Sequence, residues 1–274
     1  MTILDAIILG LIQGLTEFLP VSSSGHLTLG KALLGISEKG ILFEVVVHLG
    51  TLFAVLTAFW PDILWLLRGI LAFFTPSKAK SAAADNPGEK ALHYWAYLIW
   101  GTIPAVIVGL FFKDFFEQAF SSPLLASCML LITGGILLLS RLGLNSRGDM
   151  SIKRSLIIGI SQAFAILPGI SRSGTTITAG MLSGVKREES ARFSFLLAVP
   201  AIAGAFVLQL KDIIGTPPEQ TFLLALIVGF VVSYISGYIA IRFLMSVVRK
   251  GRLDYFAWYC FAIGILGIYF LRFA

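Results

Sequence analysis

Apolar residues along the chain do not alternate with polar ones. They gather in runs separated by short polar stretches, and runs of roughly 20 match the length a helix needs to cross a bilayer core. Six runs predict membrane spans, at about 41–60, 91–112, 123–140, 191–210, 221–247 and 255–273. Two further apolar stretches, 3–34 and 155–185, are each interrupted by Pro and Gly in a Ser-rich segment, Pro20-Val-Ser-Ser-Ser-Gly25 and Pro168-Gly-Ile-Ser-Arg-Ser-Gly174. A broken helix at membrane depth is tolerated only where protein or a watery cavity satisfies its freed backbone groups, so each stretch reads as a re-entrant helix hairpin.

Composition supports that pattern. Of 274 residues 57% are hydrophobic and 13% charged, against roughly 25% charged in a soluble domain, which excludes a water-soluble globule. The expected fold is all-α: one integral membrane domain, 1–274, with six transmembrane helices and two re-entrant hairpins. Residues 1–19 have no basic start and carry Asp5 and Glu17, so they do not read as a signal peptide. Cys128 and Cys260 lie in apolar runs and read as small core residues. The net charge of +6 does not imply a nucleic-acid partner, because the basic residues flank the apolar runs as orientation signals. Arg68, Lys78, Lys80, Lys90, Arg141, Arg147, Lys153, Arg154, Lys186, Arg187, Arg192, Arg249, Lys250 and Arg252 fall on one side, and Lys31, Lys39, Lys113, Lys211 and Arg272 on the other. The positive-inside rule makes the first side cytoplasmic and puts both termini outside.

The halves resemble each other. Gly10, Gln13, Ser22, Ser24 and Gly25 match Gly159, Gln162, Ser171, Ser173 and Gly174 at a constant 149-residue offset, with one slipped residue between Pro20 and Pro168. Repeat one would span about 1–140 and repeat two about 150–274. Three crossings per repeat would invert the second relative to the first and bring the two hairpins together near the midplane.

Ionisable residues inside apolar segments are functional candidates. Gln13 and Glu17 are i and i+4 on one half-helix and so share a face. Ser22-Ser-Ser-Gly-His26 supplies capping residues for the second half-helix, whose N-terminus suits an anion. Ser23 and His26, three apart, could pair as nucleophile and base, although capping by the serines and a hydrogen-bonded core histidine are the simpler alternatives. In the second hairpin Ser171, Arg172, Ser173 and Thr176 precede or open a half-helix. A guanidinium there matches phosphate oxygens, and two helix N-termini with an arginine make a phosphate-shaped site. Glu44 could line the site or be solvated at the interface. His48 and His93 read as packing or interfacial residues, Arg242 as snorkelling towards the cytoplasm, and Trp60, Trp65, Trp95, Trp100 and Trp258 mainly as interfacial belt and core.

These residues resemble the undecaprenyl-diphosphatase family associated with bacitracin resistance. Gln13-Gly-Leu-Thr-Glu17 is similar to its (Glu/Gln)-x-x-x-Glu motif, Pro168-Gly-Ile-Ser-Arg-Ser-Gly-Thr-Thr176 fits its Pro-Gly-x-Ser-Arg-Ser-x-x-Thr motif at each fixed position, and His26 falls at the family's histidine. The resemblance implies a bacterial cytoplasmic-membrane phosphatase, its site open to the outer face, that converts undecaprenyl diphosphate to undecaprenyl phosphate for reuse in wall synthesis. It assigns catalytic or phosphate-binding roles to Glu17, Ser23, His26, Ser171, Arg172, Ser173 and Thr176, with Gln13 beside them. It also implies dependence on a divalent cation, Mg2+ or Ca2+, which Glu17 would share with the substrate phosphates, since an amide at Gln13 is a poorer ligand than a carboxylate. The partners implied are undecaprenyl diphosphate and membrane lipid, and a homodimer stays open. So does the nucleophile: Ser23, His26 or water. A transporter or flippase of prenyl phosphate lipids is the rival class, but a carrier needs no hydroxyl, imidazole and carboxylate converging on the phosphate.

Overall fold

The computed structural model describes residues 1–34, 41–74, 87–213 and 220–273. The described residues form helices and turns with one isolated bridge, Gly148 to Val185, and no strand. The first hairpin is α1 (Ile3–Phe18) and α2 (Ser23–Leu34). Next come α3 (Ile41–Ala58), α4 (Trp60–Phe74), α5 (Pro87–Phe111), the short α6 (Lys113–Phe120) and α7 (Pro123–Leu139). The second hairpin is α8 (Ile152–Phe164) and α9 (Arg172–Leu182), followed by α10 (Arg187–Ile213), α11 (Gln220–Arg249) and α12 (Tyr255–Phe273).

Side chains set these boundaries. Thr2 and Asp5 form a reciprocal capping box at the start of α1, and Ser122, Ser151 and Ser171 cap α7, α8 and α9. Stretches of α5, α7, α10, α11 and α12 are each long and apolar enough to cross a membrane, and α3 with α4 makes up to a sixth span. That span departs from the straight 41–60 run: α3 and α4 meet at 79°. Pro61, in the first turn of α4, has no N–H to give to α3 and is at home in a first turn, where that donor has no partner in the helix, and the helix breaks before it. Arg68 therefore sits on a helix and not in a loop. Lys39, Lys78, Lys80 and the Lys211 side chain lie outside the described residues. Large apolar side chains such as Phe111, Leu142 and Trp258 are mostly exposed, a surface that suits lipid and not water. The chain is a multi-pass membrane protein.

Inside, α1 packs on α11, α8 on α5, α3 on α11 and α7 on α12. Glycines allow the closest approaches. A Cβ on Gly10 would stand 3.0 Å from the Gly229 carbonyl oxygen, and one on Gly159 would stand 2.5 Å from that of Gly101. Small residues at crossings are how helices gain contact where lipid supplies no hydrophobic drive. Phe18, at the end of α1, stacks edge-on against Phe195 of α10 with ring centroids 5.8 Å apart, which fixes the first hairpin against the second half of the chain.

Gly159→Ala should destabilise the bundle by about 1–3 kcal/mol, because backbone and not a flexible side chain blocks the added methyl. A thermal melt in detergent should drop by about 5 °C. Gly135→Ala, with nothing within 4 Å of its Cβ, should leave the melt unchanged.

Candidate active site

The two hairpin tips meet. A Cβ on Gly25 would lie 3.3 Å from Gly169 Cα, and one on Gly174 would lie 3.0 Å from Pro20 Cβ. Ser173 donates to the Leu19 carbonyl at 3.3 Å. Both tips turn through left-handed backbone, at Ser22 (φ 69°) and Gly169 (φ 92°). Gly169 has no room for a side chain, since a Cβ would collide with the Ala126 carbonyl. Ser22 is a non-glycine in that region, the kind of local strain that surrounding structure must hold in place. Its hydroxyl accepts from Gly25 N–H at 3.3 Å and its carbonyl from His26 N–H at 3.2 Å, starting α2.

Glu17 is the centre of the cluster. Its Oε1 accepts from Arg172 Nη2 at 2.7 Å, and its Oε2 accepts from Ser23 Oγ at 2.5 Å and Gln13 Nε2 at 3.0 Å. The carboxylate is almost buried and the arginine side chain 17% exposed. The first hairpin thus gives the anion and hydroxyl, the second the guanidinium. Among the described residues no group of three or more His, Cys, Asp or Glu could hold a metal ion. Gln13 Oε1, however, is buried with no hydrogen-bond partner, so a hard cation would find two oxygen donors here, that amide and Glu17.

His26 does not meet Ser23. Its Nδ1–H donates to the Ser22 carbonyl at 2.8 Å, while Nε2 lies 2.8 Å from the Tyr259 hydroxyl, the two rings parallel within 8°. Ser171 caps α9 by accepting from Gly174 N–H at 3.1 Å. Thr176 points away from Glu17: it donates to the Arg172 carbonyl at 2.7 Å and pairs with the Ser194 hydroxyl at 2.5 Å, holding α9 to α10. Ser173 is likewise buried, 3.3 Å from Ser171 Oγ.

Several residues enter that sequence reasoning set aside or missed. His48 Nε2 stands 3.9 Å from Glu17 Oε2, with its Nδ1–H on the Glu44 carbonyl. The signal was Glu44, His48 and Thr51 at i, i+4 and i+7 in an otherwise apolar span. Glu44 itself pairs with Lys31 of α2. Thr133 of α7 donates to the Gly169 carbonyl at 2.8 Å and accepts from Ser171 N–H at 3.0 Å, pinning the second tip. Tyr259 and Thr133 had no local signal. His93 is exposed, and Trp65 packs near Arg192 at the other end of the bundle.

The sequence profile of the family described as Bacitracin resistance protein BacA matches residues 6–266. A curated undecaprenyl-diphosphatase of Methanosphaera stadtmanae is 45% identical over 271 residues, 97% of either chain. One from Halothermothrix orenii is 43% identical over 97% of both chains, and one from Methanobrevibacter smithii 44% identical over 97% of this chain and 96% of its own. Matches of this extent place the whole of the hairpin cluster within the shared sequence, and the chain belongs to the BacA family of bacitracin resistance proteins.

Proposed function

We propose that this chain is an undecaprenyl-diphosphate phosphatase. It would remove the terminal phosphate of undecaprenyl diphosphate at the outer face of the bacterial cytoplasmic membrane, with both termini outside, and return undecaprenyl phosphate to peptidoglycan synthesis, which confers bacitracin resistance. The names of the relatives supply the substrate. The observation that carries the chemistry is the Ser23 hydroxyl donating to a carboxylate that is itself paired with Arg172. The equivalent packing of α1 on α11 and α8 on α5 supports the inverted repeat that brings the two tips together.

The diphosphate head sits between the tips and the isoprenoid tail stays in lipid. Arg172 spends one of its five N–H donors on Glu17, so the rest of its fork is free for phosphate oxygens, joined by N–H groups at the starts of α2 and α9. As Ser23 Oγ attacks the terminal phosphorus, its proton passes to Glu17 Oε2. The bond from phosphorus to the bridging oxygen breaks, and its electron pair leaves with undecaprenyl phosphate. Glu17 sheds the proton to solvent through His48, then takes one from the water that attacks phospho-Ser23 and returns it to Ser23 Oγ as inorganic phosphate leaves. Positioning and charge stabilisation of the transferring group are the main tasks in such reactions. His26 braces the strained Ser22 turn beside the nucleophile, while Ser171, Ser173 and Thr176 hold Arg172's helix in place. A divalent cation, Mg2+ or Ca2+, would be held by Glu17 and Gln13 Oε1 together with substrate oxygens, and would supply neutralisation of phosphate charge.

Phosphate release from undecaprenyl diphosphate in detergent with Mg2+ tests the proposal. Ser23→Ala should lose activity by about a thousandfold or more while folding normally, and a rapid acid quench of wild type should yield a phosphorylated Ser23 peptide. Near-normal turnover by Ser23→Ala would leave water as the nucleophile. Arg172→Lys keeps a cation beside Glu17, avoiding the roughly 3–5 kcal/mol of leaving a buried charge unpaired, yet should lower kcat about a hundredfold because an ammonium cannot fork onto phosphate. Gln13→Glu adds a second carboxylate, so it should lower the Mg2+ concentration needed for half-maximal rate.

A further inference from the structure

The sharp bend between α3 and α4 opens a pocket of about 340 Å³ against α11, lined by none of the residues of the catalytic cluster. Its floor is apolar, with Phe59, Pro61, Ile241 and Met245. Its rim is not: Arg242, Ser246 and Arg249, spaced four and three apart, share one face of α11 and all line the pocket. All three are exposed. Neither arginine has a hydrogen-bonded or ionic partner among the described residues.

Other cations at this end of the bundle are held by acids. Arg141 is bound to Asp254 at 2.5 Å and Lys186 to Asp149 at 2.7 Å. Asp62, the one carboxylate lining the pocket, is held by Arg192 through Nε at 2.8 Å and also through Nη2. Arg192 is shared with Glu189 at 3.3 Å, so the pocket with these neighbours keeps a net positive charge of one. Seven helical residues separate Arg242 from Arg249 by roughly 10 Å of rise, short enough for two arginine side chains to converge on one anion.

We propose that this elbow pocket binds an anionic phospholipid of the cytoplasmic leaflet, its phosphate between Arg242 and Arg249 and its acyl chains on the apolar floor. Basic pockets between membrane helices on the cytoplasmic side recognise lipid headgroups in this way, and guanidinium forks fit phosphate oxygens better than lone ammonium groups do. Ser246 sits between the arginines as a neutral donor to the same headgroup. The lipid would tie the bent span to α11 by contacting α4 and α11 together.

Native mass spectrometry tests this, with the whole protein released from nanodiscs of phosphatidylglycerol or of phosphatidylcholine. Wild type should retain phosphatidylglycerol and not phosphatidylcholine. The double variant Arg242→Gln with Arg249→Gln should lose that retention on the order of tenfold or more. Ser246→Glu, at an exposed position, should lose it too by pairing the arginines internally. Lys250→Gln with Arg252→Gln, at the nearby basic turn outside this pocket, should behave as wild type. Equal retention of the two lipids by wild type, unchanged retention by the Arg242 and Arg249 double variant, or an equal loss in the Lys250 and Arg252 variant would each overturn the proposal.

Discussion

An arginine and a glutamate from opposite halves of the chain meet at 2.7 Å inside a membrane protein, and the geometry around them follows from what that contact demands. Removing two charges from water costs several kcal/mol per ion, recovered only when they are paired and their remaining hydrogen-bonding capacity is used. Glu17 meets that condition through Ser23 and Gln13 on Oε2 while Arg172 takes Oε1. The two broken helices must then approach almost backbone to backbone. Gly25 and Gly174 permit this at the tips, and Gly10 and Gly159 permit it where each hairpin's first helix crosses its long neighbour. Thr133 on α7 and Ser194 on α10 then fix the arginine-bearing helix from two sides.

Most of the frame was legible because it depends on local quantities. Run length marked the spans, and Pro and Gly within Ser-rich segments marked both hairpin tips. The bend at Pro61 was a local signal too, but the apolar run ended there and α4, with Asp62 and Arg68, looked like a loop. What sequence could not supply was contact between distant elements. Spacing along α2 favoured His26 as the partner of Ser23, since i and i+3 share a face. The left-handed turn at Ser22 instead folds α1 back beside the start of α2, and a carboxylate six residues earlier reaches the hydroxyl first. His48 and Tyr259 were hidden for the same reason. A lone histidine in a span has an ordinary structural use, and only the approach of α3 to α1 puts His48 near Glu17.

The proposed repeat also explains how one architecture gives two unlike halves of a site. At the same 149-residue offset that pairs the capping serines, Ser23 corresponds to Arg172 and Glu17 to Ile166. The device is similar in the two halves: a half-helix, a turn through one left-handed residue (the capping Ser22 itself in the first, Gly169 two residues before the cap in the second), a serine cap and a second half-helix with free N–H groups. The side chain at the first helical position decides what each copy does with it. One copy presents a hydroxyl beside a carboxylate, and the other presents a guanidinium with no acid of its own. Gln162, the counterpart of Gln13, is accordingly buried with neither end of its amide hydrogen-bonded, because the residue one turn later is isoleucine and not glutamate. In the proposed reaction, a symmetric pair of carboxylates would repel a diphosphate, and a symmetric pair of arginines would bind it with nothing to transfer the phosphoryl group to. The mismatch between the copies lets a single ion pair at their junction hold the tips together and, in the proposed reaction, face a phosphate with opposite chemistry on its two sides.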